Sequence, residues 1–365
     1  MPLVQGVELS RRFYAEIVAP WLGREFPQLR HAAALIGSGS EVLGFDDEMS
    51  RDHDFGVRVQ LYLTEDDFQA VGEALIRRFA PSAPQSFLGT PSGGPVTWRK
   101  AAVLGDERHG LEIWTPKRAL RYWLAIDADA PLTGRAWLGL AEQRLLSLTA
   151  GAVFHDDSGQ LTALRERFAY FPQDVWAYRL ACQWRRLAEE QAFVGRAGMV
   201  GDELGSRVIA GRLVRDAMRM AFLISCRYAP YPKWFGRAFQ ALPCAGELSP
   251  ILDRALTAPD WRSREAALAA AYLALANRHL VGGLPGAFQP RVGPYFSRPF
   301  TVINADEIAA AIRAEIVDAS LRELPLIGAL DQVTDSTAVI EAPAAARGAM
   351  SALFDHVEAG SLEEP

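Results

Sequence analysis

Residues 37–56, GSGSEVLGFDDEMSRDHDFG, constrain this chain more than any other stretch. An apolar run, residues 32–36, leads into Gly37, Ser38, Gly39 and Ser40. The run reads as a buried strand, and residues 38–43 read as a short helix opened by a small-residue turn. A turn of that kind offers backbone N–H groups to a phosphate. Asp52, His53 and Asp54 follow at the start of a second apolar segment. Strand side chains alternate between faces, so Asp52 and Asp54 point the same way if the segment is extended. Two carboxylates side by side repel, and a divalent cation with a preference for hard oxygen ligands resolves that repulsion. Together the halves describe a site for a metal-bound nucleoside triphosphate.

Competing phosphate motifs are excluded. No GxxxxGK[ST] occurs. Gly37, Gly39 and Gly44 lack GxGxxG spacing, and no acidic residue follows at the dinucleotide-binding distance.

The combination resembles the Gly-Ser…Asp-x-Asp signature of polymerase-β-like nucleotidyltransferases. The longer wording is similar to a bacterial family within that superfamily, described as nucleotidyltransferase-like and carrying a domain of unknown function. Its further segments here are VGDELGSRVIAGRLVRDAMRMAFL, RYAPYPKWFG, RPFTVINADE and LPLIGALDQVTDST, so the resemblance spans roughly residues 30–340. It implies that Ser38 touches the triphosphate, that Asp52 and Asp54 hold Mg²⁺, and that a third acid comes from a later strand. Glu112, inside the apolar run GLEIW, is the candidate for that acid; the bland alternative is an outward-facing strand residue. The resemblance also implies a basic side chain brought from a helical domain to the triphosphate. Lys233, in the Pro- and aromatic-rich turn RYAPYPKW, fits that role, against a surface lysine beside a packed Trp234.

Lysine is rare: Lys100, Lys117 and Lys233 stand against 35 arginines. The net charge of −6 argues against nucleic acid as a partner, which favours a basic surface. No stretch of about 18 uncharged apolar residues suggests a membrane span, and no secretory leader is apparent, so a cytoplasmic protein is expected. Cys182, Cys226 and Cys244 are too scattered for a zinc pattern or a disulfide framework.

The fold expected is α+β. Residues 1–130 form a small mixed-sheet nucleotidyltransferase domain, 131–285 a helical bundle, 286–345 a C-terminal extension and 346–365 a mobile tail. An amphipathic helix covers residues 9–27, strands fall at 31–36, 54–63 and 110–114, and helices begin at Thr64 and Pro116. From residue 136 the pattern is helical throughout, and the Gly- and Pro-rich residues 282–303 read as a connector. Asp46, Asp47 and Glu48 read as a solvated turn. Whether Arg51 and Arg58 meet phosphate or pair with that turn is left open by the sequence.

The activity expected is Mg²⁺-dependent transfer of a nucleotide from an NTP to a hydroxyl, most simply of a small molecule, with two metal ions. Asp52, Asp54 and Glu112 would be catalytic metal ligands. Gly37, Ser38, Gly39, Ser40 and Lys233 would hold the nucleotide. The rival expectations are transfer to protein or tRNA, and a nucleotide-binding or interaction protein without turnover.

Overall fold

Residues 57–63, VRVQLYL, alternate strictly, and the sheet uses both halves of the alternation. Val57, Val59, Leu61 and Leu63 point into an apolar core, while Arg58, Gln60 and Tyr62 occupy the opposite face. The structure, a computed structural model, describes residues 5–51, 55–92, 104–105 and 109–357. The architecture is α+β. It divides into two compact units: Met1–Pro131 with Arg144–Ala169, and Leu132–Gln143 with Tyr170–Pro365.

The first unit is built on a mixed sheet. Its strands are β1 (Ala32–Leu35), β2 (Val59–Tyr62), β5 (Leu104–Gly105), β6 (Leu111–Trp114) and β7 (Ala152–Asp156), in the order β5-β6-β2-β1-β7. A small hairpin, β3 (Ser86–Phe87) with β4 (Thr90–Pro91), stands apart from it. β2 runs parallel to β6 and antiparallel to β1, and β1 runs antiparallel to β7. One face is covered by the N-terminal helical segment and by helix Glu65–Phe79. Leu9, Phe13, Val18, Trp21 and Phe79 pack there on Val59, Leu61, Leu111 and Ile113. Thr64 caps the second helix by accepting the Asp67 N–H at 3.1 Å, and three acids in its first turn suit the helix dipole.

Several elements depart from the sequence reading. Residues 38–43 form a turn, not a helix. Gly37 and Gly39 have φ of 109° and 126°, outside helical space. Residues 152–156, AVFHD, form β7 inside the stretch read as helical. The run is too short for periodicity to separate strand from helix, and pairing with β1 decides it. The N-terminal helix contains a π-helical turn, Tyr14–Val18.

The second unit is mainly helical. Helix Gln173–Glu190 packs against Glu203–Ile224 and Ala305–Ala314, and Trp261–Val281 packs against Ala245–Thr257 and Glu203–Ile224. Asp202 and Asp260 cap their helices by accepting N–H bonds from Gly205 and Ser263. Residues read as a connector contain a hairpin, β8 (Val292–Tyr295) with β9 (Arg298–Ile303). Its Phe300 packs on Trp261, so apolar burial outweighs the local Gly and Pro content. Helix Pro343–His356 runs into the stretch expected to be a tail and buries Ala346, Met350 and Phe354. Among the described residues no helix is long and apolar enough to cross a membrane.

Candidate functional site

The polar face of β2 organises the 37–40 turn. Arg58 is almost fully buried, donates to the Ser38 carbonyl at 2.8 Å, and pairs with the buried Glu41 carboxylate. Burial pushes the Glu41 carboxyl upward, and the Arg58 charge opposes that push. The glycines are required by contact as well as by φ. A Cβ on Gly37 would stand 2.6 Å from the Trp123 ring, and one on Gly39 2.4 Å from the Glu41 carboxylate. Gly37 N–H donates to the Ser147 carbonyl at 2.7 Å, and Phe45 N–H to the Ser40 carbonyl at 2.8 Å. The turn is therefore held by side chains and carbonyls around it, not by a helix behind it. Arg58, left open by the sequence, is a strut for the turn.

Glu112 lies in β6 beside Gln60 in β2, with no exposed surface. Paired residues of parallel strands share a face, so both carboxamide and carboxylate lie opposite the apolar core. Gln60 Nε2 stands 3.3 Å from Glu112 Oε2 and donates to the Ile36 carbonyl at 3.0 Å. Gln60 Oε1 accepts the Ile36 N–H at 2.9 Å. Trp114 Nε1 donates to Glu112 Oε2 at 3.0 Å. The Tyr62 hydroxyl reaches Gln60 Oε1 at 3.3 Å. Burial, with the nearby Glu112 charge, holds that phenol well above the usual tyrosine range. One side chain, Gln60, thus links Glu112 to the residue immediately before Gly37.

The acid Asp46, read as solvated, is buried and accepts the Gly6 N–H at 2.9 Å. Asp47 and Ser50 exchange backbone and side-chain bonds that close a short turn. Asp52 and Asp54 lie outside the described residues. Lys233 belongs to the second unit. It is exposed in the first turn of helix Pro232–Gln240, its ammonium 4.9 Å from the Trp234 ring centroid. In the same unit, Glu142 accepts the Ala229 N–H at 2.6 Å and pairs with Arg179, which fixes the RYAPY turn just before Lys233.

Gly37, Ser38, Gly39, Ser40 and Glu112 lie in one unit, and Gln60 connects Glu112 to Ile36, the residue before the turn. Sequence reasoning missed Gln60, Glu41 and Arg58 as the parts that do this. For Arg58 and Gln60 the signal was present: polar residues at alternate positions of an apolar strand must serve something on its second face.

Residues 137–235 match a family model described as a domain of unknown function (DUF4037). A nucleotidyltransferase-like protein from Exiguobacterium sibiricum 255-15 is a structural relative. It is 12% identical, with 77% of this chain and 82% of that chain covered and a TM-score of 0.34, a loose likeness. No curated protein matches the chain.

Proposed function

We propose that the first unit carries a nucleotidyltransferase site, which moves the nucleotide of an NTP to a hydroxyl of a small acceptor. The observation that carries the reading is the Glu112–Gln60–Ile36 chain. A fully buried carboxylate stands, through one amide, beside a glycine-serine turn. Its strand neighbours β2, into which Asp52 and Asp54 lead in the sequence. Carboxylate oxygens are the donors that Mg²⁺ takes, so Glu112, Asp52 and Asp54 make a fitting ligand set. Bound there, two Mg²⁺ ions would supply the charge that offsets the attacking and leaving oxygens.

The protein's own groups then have distinct tasks. Glu112 completes the ligand set or takes the acceptor's proton, its orientation set by Gln60 and Trp114. The 37–40 turn receives the outer phosphates, with Arg58 and Glu41 keeping its shape. The formal charge of −6 favours a small acceptor over nucleic acid.

The test is incubation of the purified chain with each of the four α-labelled NTPs, Mg²⁺ and a small-molecule extract. Label in a new product, with pyrophosphate released and both lost in Asp52→Asn, supports the reading. Label that stays in NTP for all four nucleotides counts against turnover.

A further inference from the structure

At the far edge of the sheet, three metal-ligating side chains converge outside the site just described. His31 stands immediately before β1, and His155 and Asp157 lie at the end of β7. The register pairs Ala33 with His155, and Asp157 N–H donates to the His31 carbonyl at 3.1 Å. Positions 31, 33, 155 and 157 therefore share one face of the β1–β7 ribbon. Both imidazoles turn to the same carboxylate. His155 Nε2 lies 2.9 Å from Asp157 Oδ1, and His31 Nδ1 lies 3.8 Å from Asp157 Oδ2. The two rings are 4.7 Å apart between centroids. One donor atom from each of the three side chains falls within 4.8 Å of the other two.

Those spacings suit a four-coordinate ion. Ligand bonds of about 2.0–2.1 Å in a tetrahedron give donor–donor edges of about 3.3 Å; His155 Nε2 stands 2.9 Å from Asp157 Oδ1, and His31 Nδ1 stands 3.8 Å from the other oxygen of the same carboxylate. The carboxylate is already oriented, since Asp157 Oδ2 accepts the His31 N–H at 3.0 Å. The remaining nitrogen of His31 also has its partner: Nε2 lies 2.9 Å from the Tyr14 hydroxyl. Ligating histidines commonly bond through their second nitrogen, which fixes tautomer and ring angle. Tyr14 opens the π-helical turn Tyr14–Val18, and its ring stacks on His155 as well. Such turns often occur where a helix serves a site.

We propose that His31, His155 and Asp157 form a binding site for a divalent transition ion, Zn²⁺ by its two-imidazole, one-carboxylate donor set, with water as fourth ligand. His31 Nδ1 stands 3.3 Å from the Leu29 carbonyl; binding breaks that bond and displaces any proton on Nδ1 to solvent. His31 Nε2–H then donates to the Tyr14 oxygen, and the ion staples the ends of β1 and β7. This site is independent of the nucleotide reading, and the softer imidazole donors separate it from a Mg²⁺ site.

The test is calorimetric titration of chelator-stripped, desalted full-length protein with Zn²⁺ and, separately, with Mg²⁺. All variants carry Cys226→Ser, because that thiol is exposed and competes for zinc. One Zn²⁺ per chain is expected. His155→Gln and Asp157→Asn should each weaken it at least about 100-fold, and Tyr14→Phe, which removes only the orienting bond, about 10-fold. Co²⁺ should give the visible bands of a four-coordinate site, lost in His155→Gln. Glu112→Gln should leave Zn²⁺ uptake unchanged, and His155→Gln should leave Mg²⁺-NTP binding unchanged, so the two sites fail or stand separately. Circular dichroism melts confirm that each variant is folded. Zn²⁺ uptake that is absent, or equal in the parent and in both ligand variants, overturns the proposal.

Discussion

Gln60 binds both backbone groups of Ile36 while its amide faces Glu112 Oε2 at 3.3 Å. The carboxylate and the glycine-serine turn are thereby coupled through one residue. Glu112→Gln preserves shape and keeps one oxygen to accept from Trp114 and Gln60, so its effect on stability should be about 1 kcal/mol. Nucleotide transfer should fall by about 100-fold or more, the usual scale for losing an acid–base or metal-ligating group. Gln60→Leu should do the reverse. It leaves the Ile36 N–H and C=O unpaired and should cost about 2–4 kcal/mol in urea unfolding.

The Arg58–Glu41 pair is buried on both sides. Arg58→Met leaves a buried carboxylate unpaired and should cost about 3–5 kcal/mol. Glu41→Gln in that background should restore part of the loss, because the stranded charge is gone. Chemical denaturation of the two single variants and the double variant measures the coupling. Additive effects would remove Arg58 from its role as a strut.

How much of this was legible beforehand depends on the period of each element. The alternation in residues 57–63 marked a strand with two used faces, and Glu112 stood out as an acid in an apolar run. The Thr64 cap and Pro116 announced their helices. β7 was not legible, because five residues carry no decisive period and its partner β1 lies far away in sequence. Nor was the turn at residues 38–43, whose shape comes from Arg58, Glu41 and Trp123, contacts that no local pattern encodes. His155 and Asp157 were read inside a helical stretch, where they would not meet His31.

His279 gives a pH signature in the second unit. Its Nε2 lies 2.7 Å from the Pro285 carbonyl and its Nδ1 is buried with no partner among the described residues, so the neutral ring fits and the charged one does not. Burial lowers its pKa from the usual 6.5, and the bond to Pro285 and the Glu315 charge only partly offset this. Just below pH 6.5 the unfolded chain therefore binds more protons than the fold, and stability rises with pH. The contribution is complete above 6.5 and is lost as pH falls toward the folded value. Urea melts from pH 5 to pH 7 should show a slope that His279→Gln reduces.

Lys233 is exposed, and its stacking on Trp234 is worth about 0.5–1 kcal/mol. Lys233→Ala should therefore leave the melting temperature nearly unchanged. If it meets triphosphate, the same variant should weaken NTP binding by about 10-fold, and Lys233→Arg should recover only part, since the guanidinium fork makes different contacts. Unchanged affinity in Lys233→Ala would leave the residue as a packing partner of Trp234.

Calorimetric titration with a non-hydrolysable NTP, with and without Mg²⁺, tests the nucleotide site most directly. The account predicts binding of at least one of the four nucleotides that requires Mg²⁺ and is lost when Asp52 and Asp54 are replaced by Asn. Absence of binding for all four in the presence of Mg²⁺, or binding indifferent to the metal and to both aspartates, would contradict it.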